Sequence, residues 1–184
     1  AKICTDRWLS VDAAATAGGG DHSVIATFGQ WTEGRTPKLW QRRGQWAYPD
    51  LLQNVKDEFI RWNCSVVVVE GASNGRALAD DLKHLGLPVE RVNAVGKKFV
   101  RARPTFTARR QGLVPLPEAQ HAPWVPGYVD RMIILVGAGD EVDDESDADV
   151  YGIKHGLMGE GSAPSREDAL DGADEVARLL DQAW

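Results

Sequence analysis

Cysteine is almost missing from this 184-residue chain: Cys4 and Cys64 stand alone, with no CxxC pair. A disulfide scaffold is therefore excluded, and two isolated thiols read as small buried hydrophobes of a reducing compartment. Long apolar runs are also missing. The longest, Val66 to Val69 and Met132 to Val136, fall far short of the roughly 20 residues that cross a bilayer. No signal-peptide pattern opens the chain, so a soluble protein is expected. His84, His121 and His155 have no ligand spacing among them, and no phosphate loop of the form GxxxxGK[ST] occurs. Internal repeats and low-complexity stretches are lacking, and nothing reads as a groove-recognition helix. What is present is a chain that is 43% hydrophobic, enough for one globular domain with a core that needs no staples.

The net charge of -6 argues against a nucleic-acid partner only until the charges are located. Between positions 91 and 110 lie Arg91, Lys97, Lys98, Arg101, Arg103, Arg109 and Arg110, with no acid among them. Between 140 and 149 the pattern inverts to Asp140, Glu141, Asp143, Asp144, Glu145, Asp147 and Asp149, with no Lys or Arg. A local basic strip can meet phosphates, and a local acidic cluster can hold cations.

Periodicity orders the elements. Strands are expected over 2–11, 23–28 and 38–42, with 32–37 as a turn, which makes an antiparallel meander. Leu51, Leu52, Val55, Phe59 and Ile60 then repeat at helical spacing, with Pro49 where a helix can begin. The all-valine run to Glu70 is apolar on both faces, as a central strand covered on each side is written. A helix over 75–85, a strand over 89–95 and a helix over 105–111 follow, and this alternation implies parallel crossovers. Residues 112–116 form a short connector. Further helices are expected over 122–134 and 144–158, then a linker at 159–164 and a C-terminal helix to Trp184. The fold class that results is α/β: a ribonuclease H-like mixed sheet, antiparallel meander first and parallel strands after, with helices on both faces.

In that order Asp12 closes the first strand and Glu70 the neighbouring fourth, while Asp144 and Asp147, three apart on one helical face, open the helix over 144–158. Such a set is written in oxygen donors alone, which suits magnesium or manganese and points to phosphate chemistry. Two ions about 3.5–4 Å apart can serve an in-line displacement at phosphorus. Asp12 is expected to bridge them, with Glu70 and the later aspartates flanking. Without cations, carboxylates packed this closely repel and one takes up a proton.

Taken together, Val11-Asp12-Ala13-Ala14 leading to Gly20-Asp21-His22-Ser23, Val68-Val69-Glu70-Gly71-Ala72-Ser73-Asn74-Gly75, Lys98-Phe99-Val100-Arg101-Ala102-Arg103-Pro104, Gly112-Leu113-Val114 and Asp143-Asp144-Glu145-Ser146-Asp147-Ala148 resemble the nuclease domain of tailed-phage terminase large subunits. The resemblance runs from Trp8 to Met158, and the Lys98 to Arg103 and DDxxDA blocks are its specific parts. It implies a nuclease domain over 1–158 followed by a linker and C-terminal helix over 159–184. It also implies a pair of magnesium or manganese ions on Asp12, Glu70, Asp147 and Asp144, and cleavage of concatemeric double-stranded DNA during genome packaging. Lys98 and Arg101 match positions facing DNA or the active site; Lys97 and Arg103 extend that basic strip, and Asn74 and Arg76, at a helix start, can meet phosphate. In the full protein an ATPase motor, the portal and the small terminase subunit are the implied partners, in the host cell cytoplasm. Lacking a phosphate loop, this chain should not hydrolyse ATP. Asp149 stands where the family continues apolar after the alanine.

Alternatives stay open. The DxxDA arrangement also resembles Holliday-junction resolvases, which share fold and metal chemistry. A non-catalytic docking module for a packaging protein, and a sugar-kinase-like phosphotransferase, are the remaining readings. Elsewhere, Gly18-Gly19-Gly20-Asp21 reads as a turn, and Trp62 and Trp124 as helix-core residues.

Overall fold

The computed structural model describes residues 4–14, 22–71, 73–93, 98–138 and 144–158. Five strands, β1 (Cys4–Asp12), β2 (Ser23–Trp31), β3 (Lys38–Gly44), β4 (Val66–Glu70) and β5 (Val89–Val92), form one sheet in the order β3-β2-β1-β4-β5. The first three pair antiparallel, and β4 and β5 add to β1 in parallel. This is the meander followed by parallel crossovers expected from the sequence.

Strand alternation divides the core. Leu9, Val11, Ile25, Val67 and Val69 point to one face, where they pack on Leu51 and Val55 of α1 (Tyr48–Trp62) and on Leu78, Ala79 and Leu82 of α2 (Ser73–His84). Trp8, Val24, Ala26, Phe28 and Val68 point to the other, against Ala102 and Ala108 of α3 (Lys98–Arg110) and Ala148, Val150, Tyr151 and Ile153 of α5 (Asp144–Met158). The valine run is apolar on both faces because both faces are covered. Cys64 lies in the first cluster, and burial pushes its thiol up to about 12, so it is an unreactive part of the core.

Helix α5 lies unusually close to the sheet, and small residues at i, i+4 and i+8 are the reason. Ser10 Oγ donates to the Ala148 carbonyl at 2.6 Å and Trp8 Nε1 to the Gly152 carbonyl at 2.9 Å. A Cβ on Gly152 would run into the Phe28 ring, and one on Gly156 would stand 2.6 Å from Thr36 and Trp8. Both hydrogen bonds use helix carbonyls that a bulkier seam would hold out of reach.

Several boundaries differ from expectation. Helix α3 begins at Lys98, not 105, and runs through Pro104. Proline removes one helical donor and usually marks an end. Here Ala102, Thr105 and Ala108 are buried on one side, and Thr105 Oγ1 caps the Ala102 carbonyl at 2.7 Å, so packing outweighs the proline. Helix α4 (Val125–Ala138) starts three residues late, placing Pro126 in its first turn. Strand β5 stops at Val92. The connector after α3 runs beside the start of β3, with Thr36 N donating to Leu113 O at 2.8 Å and Lys38 N to Pro115 O at 3.1 Å. The expected linker and C-terminal helix over 159–184, and the glycine turn at 18–21, lie outside the described residues.

Replacing Gly152 by valine forces α5 off the sheet. A loss of roughly 1–3 kcal/mol is expected for such overpacking, read as a thermal midpoint several degrees lower; an unchanged midpoint would show that the seam is not tight.

Candidate active site

Pairing of β1 with β4 places the first two acids. Their parallel register ends at Val11 opposite Val69, so Asp12 and Glu70 occupy the next positions on neighbouring strands, at the edge where both strands end. Both share parity with Trp8, Ser10, Val66 and Val68, whose face is the one covered by α3 and α5. Parallel strands bring their carboxyl ends to the same edge, where open α/β sheets bind ligands. Glu70 is further held by α2: a Cβ on Gly75 would collide with the Glu70 carbonyl, so only glycine lets the helix start this near the strand end. Asn74 Nδ2 donates to the Ala14 carbonyl at 2.7 Å, tying the segment after Asp12 to the same helix.

The third acid arrives on α5. The Ser10–Ala148 hydrogen bond fixes the helix over β1, and Asp147, one residue earlier and 7% exposed, meets Arg101 of α3, whose Nη2 donates to Oδ1 at 2.9 Å. Burial works against the Arg101 charge, but Asp147, then Tyr151 and Glu70, more than offset it, and the guanidinium stays firmly protonated. One turn after Asp147, Tyr151 is 4% exposed. Burial, then the charges of Glu70, Asp147 and Asp12, raise its phenol above the ordinary range, with Arg101 opposing. Asp12, Glu70, Asp147, Arg101 and Tyr151 thus form one electrostatic neighbourhood.

The sequence expectation assigned the metal ligands to Asp12, Glu70, Asp147 and Asp144. Asp12, Glu70 and Asp147 all act on Tyr151; Asp144 is the first residue of α5, and Asp143 lies outside the described residues. Among the described residues no three Asp, Glu, His or Cys side chains are arranged to hold a metal ion. Among the basic residues, Arg101 is turned inward onto Asp147, while Arg103 on α3 and Arg76 on α2 are exposed. Lys98 opens α3 and Lys97 lies outside the described residues. Asn74 spends an amide hydrogen on main chain.

Sequence reasoning missed two residues here. Tyr151 and Lys154 follow Asp147 at i+4 and i+7, one stripe of α5, and that spacing was the available signal. Lys154 is half-buried, and burial followed by the charge of Arg101 lowers its pKa.

A second group of charges on α5 is structural. Asp149 accepts from Lys38 Nζ at 2.6 Å, from Arg109 Nη2 at 2.7 Å and from the Tyr128 hydroxyl. Glu145 accepts a two-pronged pair from Arg131 at 2.8 and 2.7 Å and one bond from Gln41 at 2.7 Å. These bonds join α5 to β3, α3 and α4. Burial resists both charges of the Lys38–Asp149 pair, with unequal results. Asp149 faces two cations and is held below the usual carboxylate range, whereas Lys38, wholly buried and repelled by Arg109, is lowered to about 8 despite its partner. We regard the pair as charged at neutral pH, given its 2.6 Å geometry.

Comparisons with known proteins come to fold. No family model and no curated protein matches this chain. The zinc-bound large terminase nuclease from thermophilic phage G20c aligns with a TM-score of 0.52 and 16% identity, over 84% of this chain and 83% of that one. In its magnesium-bound structure the alignment covers 61% of this chain and 58% of that one, little more than half, with a TM-score of 0.49. RuvC from T. thermophilus, in complex with a Holliday junction substrate, aligns with a TM-score of 0.50 and 13% identity over 83% of this chain and 94% of that one. The yeast mitochondrial Holliday junction resolvase Ydc2 gives a TM-score of 0.53 and 10% identity over 85% and 80%. The chain therefore has the ribonuclease H-like fold expected from its sequence. No described helix is long and apolar enough to cross a membrane.

Changing Asp149 to asparagine leaves Lys38 and Arg109 buried against a neutral group. Losing one partner of a buried pair costs on the order of 3–5 kcal/mol. Because the folded-state pKa of Asp149 is lowered, its contribution is complete above the ordinary carboxylate value of about 4 and fades as pH falls below it. Denaturant titrations of parent and variant should differ fully at pH 6 and converge in acid; a difference independent of pH would contradict the assignment.

Proposed function

We propose that this chain is a divalent-metal-dependent endonuclease domain acting on duplex DNA, of the kind found in terminase large subunits. The observation that supports this reading is the register that ends β1 and β4 side by side at Asp12 and Glu70, with Asp147 of α5 acting on the same Tyr151 as both. All three donors are carboxylates, the chemistry that hard cations take. Asp12 and Glu70 would hold the ion, with Asp147, once parted from Arg101, as a third ligand and Asp144 as the fourth candidate. Bound there, magnesium or manganese would activate water and stabilise the departing oxygen in a displacement at phosphorus. The chain's own residues do the rest. Arg101 supplies positive charge beside the acids and, once parted from Asp147, is placed to meet a phosphate. Arg103, Arg76, Lys97 and Lys98 suit backbone contacts that position DNA without reading its sequence. Within this reading the chain works in the host cytoplasm with an ATPase motor, the portal and the small terminase subunit.

The solved terminase nuclease and the junction-bound resolvase support the class without choosing between linear duplex and branched DNA. Supercoiled plasmid with manganese, with and without chelator, tests the activity. Asp12→Asn and Glu70→Gln should each reduce cutting by more than the ~10–100-fold typical of an outer-shell loss, with unchanged circular dichroism. Cutting retained in Asp12→Asn removes the mechanism. Preference for a four-way junction over linear duplex at equal concentration would move the assignment to a resolvase.

A further inference from the structure

The Tyr151 ring belongs to the core between α5 and the sheet, among Ala102, Ala148 and Val68. A phenylalanine would fill that space equally well. The hydroxyl is what needs an account: it is buried and has no hydrogen-bond partner among the described residues, and a buried donor left unmade is destabilising. The charges that act on it are those of Glu70, Asp147, Asp12 and Arg101. Helical side chains lean toward the preceding turn, which carries the hydroxyl back toward Asp147 and the strand ends. Asp147 already accepts from Arg101, and the charge of Glu70 acts on the phenol more strongly than that of Asp147 or Asp12.

We propose that Tyr151 is a positioning residue for Glu70: its hydroxyl donates a hydrogen bond to the Glu70 carboxylate when that carboxylate turns onto a bound divalent cation, fixing which oxygen faces the ion. This rests on the metal-centre reading above. Metal ligands are oriented by such outer partners, and losing one typically weakens metal affinity ~10–100-fold. With no acceptor among the described residues, the hydroxyl adds no hydrogen bond to the bare fold and acts in the loaded state.

The test is manganese binding by isothermal calorimetry on the whole chain, beside thermal unfolding without metal. Tyr151→Phe should keep or slightly raise the metal-free melting midpoint and weaken manganese binding ~10–100-fold, with the manganese dependence of cleavage shifting in parallel. In a Glu70→Asp background, whose shorter carboxylate withdraws from the phenol, the same substitution should change affinity far less. Equal manganese affinity in parent and Tyr151→Phe would overturn the proposal while leaving the nuclease reading intact, provided Asp12→Asn loses binding. A parent chain that binds no manganese would overturn both. A metal-free midpoint several degrees lower in Tyr151→Phe would show the hydroxyl to be used in the bare fold and would also refute it.

Discussion

Parallel pairing of β1 with β4 is the constraint from which the site follows. Two carboxylates 58 positions apart in sequence come to neighbouring positions only because the register ends at Val11 opposite Val69. A slip of one residue would turn Glu70 to the α1–α2 face, among Leu9, Val67 and Leu78. That register is secured by burial on both faces, since every residue from Leu9 to Val11 and from Val67 to Val69 is inaccessible. The acids can therefore sit at the strand ends, where they add no apolar burial, because the strands behind them are fixed by residues that do.

Helix α5 poses the harder physical problem. From Glu145 to Asp149 it carries three carboxylates, all buried, and bare acids do not enter a core without partners. The chain solves this by assigning the helix three directions. Ala148, Gly152 and Gly156 meet the sheet, Glu145 and Asp149 turn to cations from β3, α3 and α4, and Asp147 pairs with Arg101 of α3. Asp149, lying two residues from Asp147, fixes the rotation of the helix about its axis. A hydrophobic replacement of such a pair is often no less stable, but it would leave rotation to packing alone, and the direction of Asp147 with it.

Much of this was legible beforehand, for identifiable reasons. Asp12, Glu70 and Asp147 could be placed because β-branched and apolar runs mark central strands and because acids spaced by three share a helical face. Helix α5 was bounded correctly at Asp144 and Met158. The start of α3 was hidden, since Pro104 reads as an end and only the burial of Ala102 and Thr105 shows otherwise. Hidden as well was the pairing of Arg101, expected to face DNA or the active site, with Asp147; charge segregation along the chain does not reveal which cation turns inward. Asp149 stood out only as a departure from an apolar pattern, and its meaning needed Lys38, which lies 111 positions away.

The Arg101–Asp147 pair connects fold and chemistry. Three carboxylates gathered at one edge would raise one another's proton affinity, and a neutralised acid is a poor metal ligand. A guanidinium remains charged at any pH the protein meets, so Arg101 gives Asp147 a permanently positive partner. Its charge is also singly positive and shared among three nitrogens, whereas a divalent ion concentrates two charges within ligand distance. At equal geometry the metal is the stronger partner for a carboxylate, while the arginine is the partner that costs no cofactor to maintain. In the proposed reading, a cation binding to Asp147 would displace a group already suited to phosphate.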